Sequence, residues 1–303
     1  MTTATLPFTF PPIQKFHAER THRIHAILQR TPAPVQPTRT AALDYALAHH
    51  ALEGAENAAR AQDNSLFAWY QQHPDAAGTE RTAASAAGPS VILSLDQGQL
   101  QSTPISETPY HLLGPATITA SDSLHDITVT ARGLAADAGF GDLLADHAAV
   151  TCLLNQRTLG ETLSSWTISR LPGTVFCDHV GDPVVLARDL IHEAGHNWLN
   201  DALSATGSTI DGTETFYSPW KQVQRPAFGF LHACWAFPLT VIYTARVIDT
   251  CGGALHDYLT AYLDKQRTFL ADTAADHGRA LHLVEDRSLA ARLRDVHAQA
   301  LAL

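Results

Sequence analysis

Two histidines four positions apart, with a glutamate after the first, are the strongest chemical signal in the chain. The stretch Asp189-Leu-Ile-His192-Glu193-Ala-Gly195-His196-Asn-Trp-Leu contains His-Glu-x-x-His. On a helix, positions four apart share a face, so the imidazoles of His192 and His196 can hold one metal ion. Glu193 lies beside that face and can reach a metal-bound water or brace the site. Gly195 leaves room between the histidines for a ligand or a crossing chain. The plain alternative is a helix that carries two hydrogen-bonded histidines and no metal.

A catalytic metal needs a third protein ligand and at least one open position. The candidates downstream and nearby are His232, Glu214, Asp201 and Asp211. No Gly-x-x-His follows the motif, so the short zinc-peptidase pattern is absent. Glu214 sits in a stretch that reads as loop. His232 is the stronger candidate, because it is polar within an otherwise apolar helical run and an unpaired buried imidazole is costly. A core histidine bonded to a main-chain carbonyl remains the alternative. Lys221 and Arg225, four apart, precede that apolar run, and a guanidinium there can grip a carboxylate at two points.

These residues need elements to hold them. Asp182-Pro183 supplies an N-cap and a first-turn proline for a metal helix over about 183–203. Its apolar faces come from Val185, Leu186, Leu190, Trp198 and Leu199. The apolar run with His232 predicts a helix over roughly 227–250, bent at Pro238 and ended by Cys251-Gly-Gly. Helices are also predicted over 13–30, within 40–72, over 134–149 with an interruption at Gly139-Phe-Gly141, and over about 255–272 and 277–301. Strands are predicted at 91–95, 127–131, 166–170 and 174–178, the last two joined as a hairpin through Leu-Pro-Gly. Residues 1–12 read as an extended arm, 31–37 as a Pro-rich linker, and 75–89 as a loop low in complexity. The expected fold is therefore α+β and mostly α-helical. A central His-Glu-x-x-His helix packs on a downstream apolar helix, with a small antiparallel strand region. The expected organisation is a helical region over 1–75, a flexible loop over 76–90 and a metal-binding catalytic domain over 91–303, the whole forming one compact body or two.

The totals narrow the partners. With 303 residues, 45% of them hydrophobic, the chain can bury a substantial core. A net charge of −10 and a pI near 5.9 argue against nucleic acid. The four cysteines form no Cys-x-x-Cys pair, and the N-terminus lacks a signal-peptide pattern, so a reducing cytoplasm is the simplest expectation. Residues 226–245 carry no formal charge and approach the length of a membrane span. His232, Cys234, Pro238, Thr240 and Tyr243 within them favour a buried helix and no membrane.

Taken together, His192-Glu-Ala-Gly-His196, Tyr217-Ser-Pro-Trp with Arg225-Pro, and Gly229-Phe-Leu-His232 resemble the HExxH-motif proteins of ribosomal-peptide modification pathways. These are 2-oxoglutarate-dependent peptide β-hydroxylases. The resemblance covers about residues 185–250. It implies Fe(II) held by His192, His196 and His232, with positions left for 2-oxoglutarate and O2. It further implies that Arg225 binds the distal carboxylate of 2-oxoglutarate with help from Lys221 or Tyr217, that Glu193 acts beside the metal, and that a precursor peptide is hydroxylated. The competing expectation is a zinc metallopeptidase with Glu193 as general base. A third is a peptide-binding protein without catalysis.

Overall fold

The computed structural model describes residues 6, 8–28, 40–73, 75–76, 81–103, 106–210 and 212–303. The fold is α+β and mostly helical. In chain order it runs α1 (Pro11–Ile27), α2 (Ala41–Arg60), α3 (Asn64–Gln72), β1 (Thr82–Ala83), β2 (Ser90–Ser94), β3 (Gln101–Thr103) and β4 (Ser106–Tyr110). Next come α4 (Asp122–Ala135), α5 (Gly141–His147), β5 (Val150–Gln156), β6 (Ser165–Trp166), β7 (Thr174–His179) and α6 (Pro183–Thr206). The hairpin β8 (Thr215–Ser218) and β9 (Val223–Pro226) precedes α7 (Ala227–Val247), α8 (Gly253–Ala280) and α9 (Arg287–Leu301).

The motif helix forms where the sequence places it. Asp182 accepts hydrogen bonds from the amides of Val184 and Val185, and Gly207 ends α6 in the left-handed conformation. Fully buried Leu190, Ile191, Trp198 and Leu199 place α6 at the centre of the larger core. α7 crosses it closely at Gly195, where a Cβ would lie 2.9 Å from the Leu239 side chain. The space left by Gly195 is thus taken by a crossing helix. The Trp235 indole also donates to the Gly195 carbonyl and stacks on Trp198. α7 is long and apolar enough to cross a membrane by composition, yet 83% of that window is buried inside the protein.

The main sheet has the order β1-β2-β5-β7-β6. β2, β5 and β7 pair in parallel, while β1 and β6 run antiparallel at the two edges. The strand region is therefore mixed rather than wholly antiparallel. Continuous burial of β7 fits a central parallel strand covered on both faces.

Other expectations change. Residues 127–131, read as a strand from their β-branched run, lie inside α4. Their local preference amounts to tenths of a kcal/mol per residue and yields to the burial of Thr128, Ala131, Arg132 and Ala135. The strand expected at 166–170 is reduced to Ser165–Trp166, although it does pair antiparallel with β7. Within the predicted loop 75–89, Thr82–Ala83 forms the edge strand β1. The interruption expected at Gly139-Phe-Gly141 is present, where the positive φ of Gly139 lets the chain kink between α4 and α5, but the helical stretch begins at Asp122, ahead of the expected 134. α8 runs through the break expected near 272–277. The linker 31–37 lies outside the described residues. In the expected region 1–75, Phe8, Phe10 and Ile13 share the larger core with α6, and α2 joins a second core with β2, β5 and β7.

Candidate metal centre

The cleft that contains the motif histidines has a volume of about 750 Å³. Its floor is α6, one wall is the strand segment around β6, and the other is the β8–β9 hairpin with the first turns of α7. His192 and His196 face it, and their Nε2 atoms lie 3.2 Å apart. Bonds of about 2.0–2.1 Å from one ion would set two ligand nitrogens roughly 3 Å apart, so the pair fits a shared metal. Burial, then the neighbouring imidazole and the Arg188 and Lys221 charges, hold His192 well below the ordinary histidine range. Burial, then Arg225, lowers His196 to about 4. Both are neutral imidazoles near neutral pH, the form that binds metal.

His232 reaches the cluster from α7, but not as a third nitrogen at the same point. Its Nδ1 lies 3.2 Å from His196 Nδ1, the ring edge opposite the one that faces His192. The donor atoms that come within 4.8 Å of one another belong to His192, Glu193 and His196. The expected convergence of three imidazoles is thus not formed in this arrangement, because α7 crosses at the far side of the His196 ring. Among the described residues, His232 Nε2 is buried without a hydrogen-bond partner, as is Glu193 Oε2. Two orphaned polar atoms beside a bis-imidazole pair are groups that a metal ion or a ligand in the cleft could satisfy.

Glu193 is held by the edge strand. Ser165 Oγ donates to its Oε1 at 2.6 Å. Burial, only partly offset by that bond, raises its carboxyl to about 8. The antiparallel pairing of Ser165 with Cys177 sets this serine above α6, a placement with no local signal in the sequence.

The hairpin supplies the cations. Gln222 takes a positive φ at its tip, and the amides of Lys221 and Gln222 both donate to the Ser218 carbonyl. Trp220 is fixed by its bond to Gln266 and stacks flat on Phe237, which in turn abuts His192. Arg225 lies over the first turn of α7, where a Cβ on Gly229 would come within 2.8 Å of its Nη2. Glycine at 229 is what lets the guanidinium rest there. Lys221 and Arg225 both line the cleft, and among the described residues neither forms an ion pair. Phe228 also lines the cleft and packs on the His232 ring.

Other expected residues fall elsewhere. Tyr217 is about half exposed and does not line the cleft, because strand alternation turns it away from Arg225. Glu214 is exposed outside it. Asp201 is buried on another face of α6, where its Oδ2 accepts from His17 and His147. Asp211 lies outside the described residues. The chain matches no known protein-family model, and no curated protein matches it.

Proposed function

We propose that this chain is a non-haem iron, 2-oxoglutarate-dependent dioxygenase that hydroxylates the β-carbon of a side chain in a ribosomally made precursor peptide. The observation that carries the reading is the pair of unpartnered cations, Lys221 and Arg225, in the same cleft as the two facing imidazoles. Among the described residues that line this cleft Glu193 is the only carboxylate, and burial favours its neutral form. A wall with two free positive charges favours a dianionic organic acid beside the metal.

Fe(II) held by His192 and His196, with His232 or Glu193 as a further donor, would supply O2 activation coupled to oxidative decarboxylation of the bound acid. The balance is peptide, 2-oxoglutarate and O2 giving hydroxylated peptide, succinate and CO2. The chain's own groups do the rest. Arg225 grips the distal carboxylate at two points, and Lys221 adds a second charge. The Trp220–Phe237 stack shields one side of the His192 ring from water. Ser165 keeps Glu193 oriented towards the imidazole pair. Location in the cytoplasm, where such a peptide is made, belongs to the same proposal.

The test is turnover by anaerobically purified protein supplied with Fe(II), 2-oxoglutarate and co-expressed peptide. Succinate and a peptide heavier by one oxygen atom are expected. Peptide cleavage that needs zinc and yields no succinate would replace this reading with the metallopeptidase. That alternative draws on the unpartnered Glu193 Oε2 beside the histidines, where a general base would stand.

A further inference from the structure

Beyond His192 the cleft continues into a second lobe of about 230 Å³. The two lobes share Leu163, Ser165, His192 and Phe237, so the phenylalanine ring forms the partition between them. The inner wall of the second lobe is built from α6, one turn before His192, and from α8. Arg188 and Asp189 form an ion pair there, and both Nε and Nη2 of the arginine reach Asp189 Oδ1. Arg188 Nη1 donates to the Tyr258 hydroxyl, and the guanidinium lies over the Tyr262 ring. The Tyr262 hydroxyl is spent on Thr240, whose own proton goes to the Phe237 carbonyl.

An inventory of what is left decides the ligand. A guanidinium has five N–H groups, and the bonds above use three. Two remain as donors. Tyr258 accepts from Arg188, so its own O–H is free to donate. Asp189 Oδ2 makes no hydrogen bond among the described residues and remains an acceptor. The wall therefore offers donors and an acceptor side by side, on a pair whose charges already cancel; the further carboxylate that lines the lobe, Glu161, is exposed, and its Oε2 is taken up by the Thr158 amide and hydroxyl. A carboxylate entering there meets Asp189, and an ammonium meets Arg188. An apolar side chain leaves the open polar groups without partners. A primary carboxamide satisfies both, with its oxygen on the Arg188–Tyr258 donors and its N–H on Asp189.

We infer that this lobe is a specificity pocket for an asparagine or glutamine side chain of the peptide, read by the Arg188–Asp189 pair and Tyr258. The inference rests on the proposed peptide-modifying role of the adjoining cleft, and it names the residue presented to that cleft. Its volume admits one side chain of that size, and its opening at His192 places the selected residue next to the metal centre.

The test is binding, without turnover. Zinc-loaded full-length protein is titrated with N-acetyl-asparagine N-methylamide and its leucine, aspartate and lysine counterparts, with affinity read by ligand-observed NMR. The asparagine probe should bind at least about tenfold more tightly than the isosteric leucine probe, equivalent to about 1.4 kcal/mol. Tyr258→Phe should reduce that preference severalfold and leave leucine binding unchanged. Arg188→Met with Asp189→Leu removes both charges together, strands neither, and should abolish the preference. Equal or better binding of leucine, a preference for aspartate or lysine, or no binding of any probe overturns the inference. If the double variant does not fold, the probe series and Tyr258→Phe decide alone. Asparagine preference in a protein that never forms succinate would leave the pocket standing and remove the oxygenase reading.

Discussion

α6 carries two groupings of histidine and carboxylate within three turns, and they are finished differently. In the first, Asp201 is almost wholly buried, and its Oδ2 accepts from His17 on α1 and His147 on α5. Tyr45 stacks on His17, and Asn197 secures the His147 carbonyl. Both imidazoles are bonded to the one carboxylate, and these residues line none of the cavities described above. In the second, His192 and His196 face a cleft, while Glu193 Oε2 and His232 Nε2 have no partner. The first grouping fastens two distant segments, α1 and α5, to one carboxylate on α6. The second leaves its groups open to a cleft. Composition alone does not separate the two, since each offers two imidazoles and a carboxylate; hydrogen-bond completion and access do.

The contrast predicts opposite responses to mutation. Asp201→Ala should be the most damaging change, because it strands two buried imidazoles that share one acceptor. Loss of a partner in a buried charged network costs about 3–5 kcal/mol, read as a lowered denaturation midpoint. His192→Ala should leave the apo-protein about as stable as the parent, within roughly 1 kcal/mol. An equal loss in both variants would erase the distinction.

Metal content gives the second comparison. Protein with His192→Ala and His196→Ala should lose its metal almost completely by elemental analysis, whereas His17→Ala should keep it. Chelation should remove the ion without unfolding the chain, as circular dichroism would show. Metal retained by the motif double variant would move the ion to the other grouping.

Arg225→Ala should raise the 2-oxoglutarate requirement by about 10–150-fold, the loss of a charged hydrogen-bonding pair worth about 1.5–3 kcal/mol. Tyr217→Phe, outside the cleft, should change it by less than about twofold. A larger effect from Tyr217 would bring the hairpin's outer face into the site.

Acid should act on depressed histidines outside the cleft as well as within it. His50 donates from Nε2 to Thr174 and accepts from the Leu113 amide at Nδ1, so it has no room for a second proton. Burial, then the nearby His111 and His49, lowers it to about 3. As pH falls below about 6.5 the unfolded chain binds a proton that the folded chain refuses. Stability therefore falls with falling pH between about 6.5 and 3, by at most about 1.4 kcal/mol per pH unit for this residue. Burial works to raise the Asp201 carboxyl, but bonds from His147 and His17 hold it below its ordinary value. Its contribution is present above about pH 3.8 and is lost as pH falls through the lower folded value. Urea midpoints measured from pH 7 to pH 3 check both signs, and His50→Gln should flatten the upper part of the curve.

Much of the fold was legible where local chemistry and periodicity agree. Asp182-Pro183 and Gly207 bound α6, and the uncharged run after Pro226 is the buried helix α7. The reading failed at 127–131, where a β-branched run is carried into a helix by long-range burial. At the site, helix spacing was enough to pair His192 with His196, and charge spacing was enough to single out Lys221 and Arg225. Arg188 and Asp189 stand one turn before His192 and were open to the same helical argument. Ser165, Phe237 and Tyr258 were not, since strand pairing and helix crossing bring them in from far along the chain.

The sequence by itself determined that two imidazoles share one face of a capped helix, because a 3.6-residue repeat acts within a few residues. The tertiary structure alone decided which nitrogen His232 presents, which carboxylates are satisfied, and which cations stay free. Those depend on how α7, the β8–β9 hairpin and β6 meet α6, and no spacing along the chain encodes an angle between elements packed far apart in sequence.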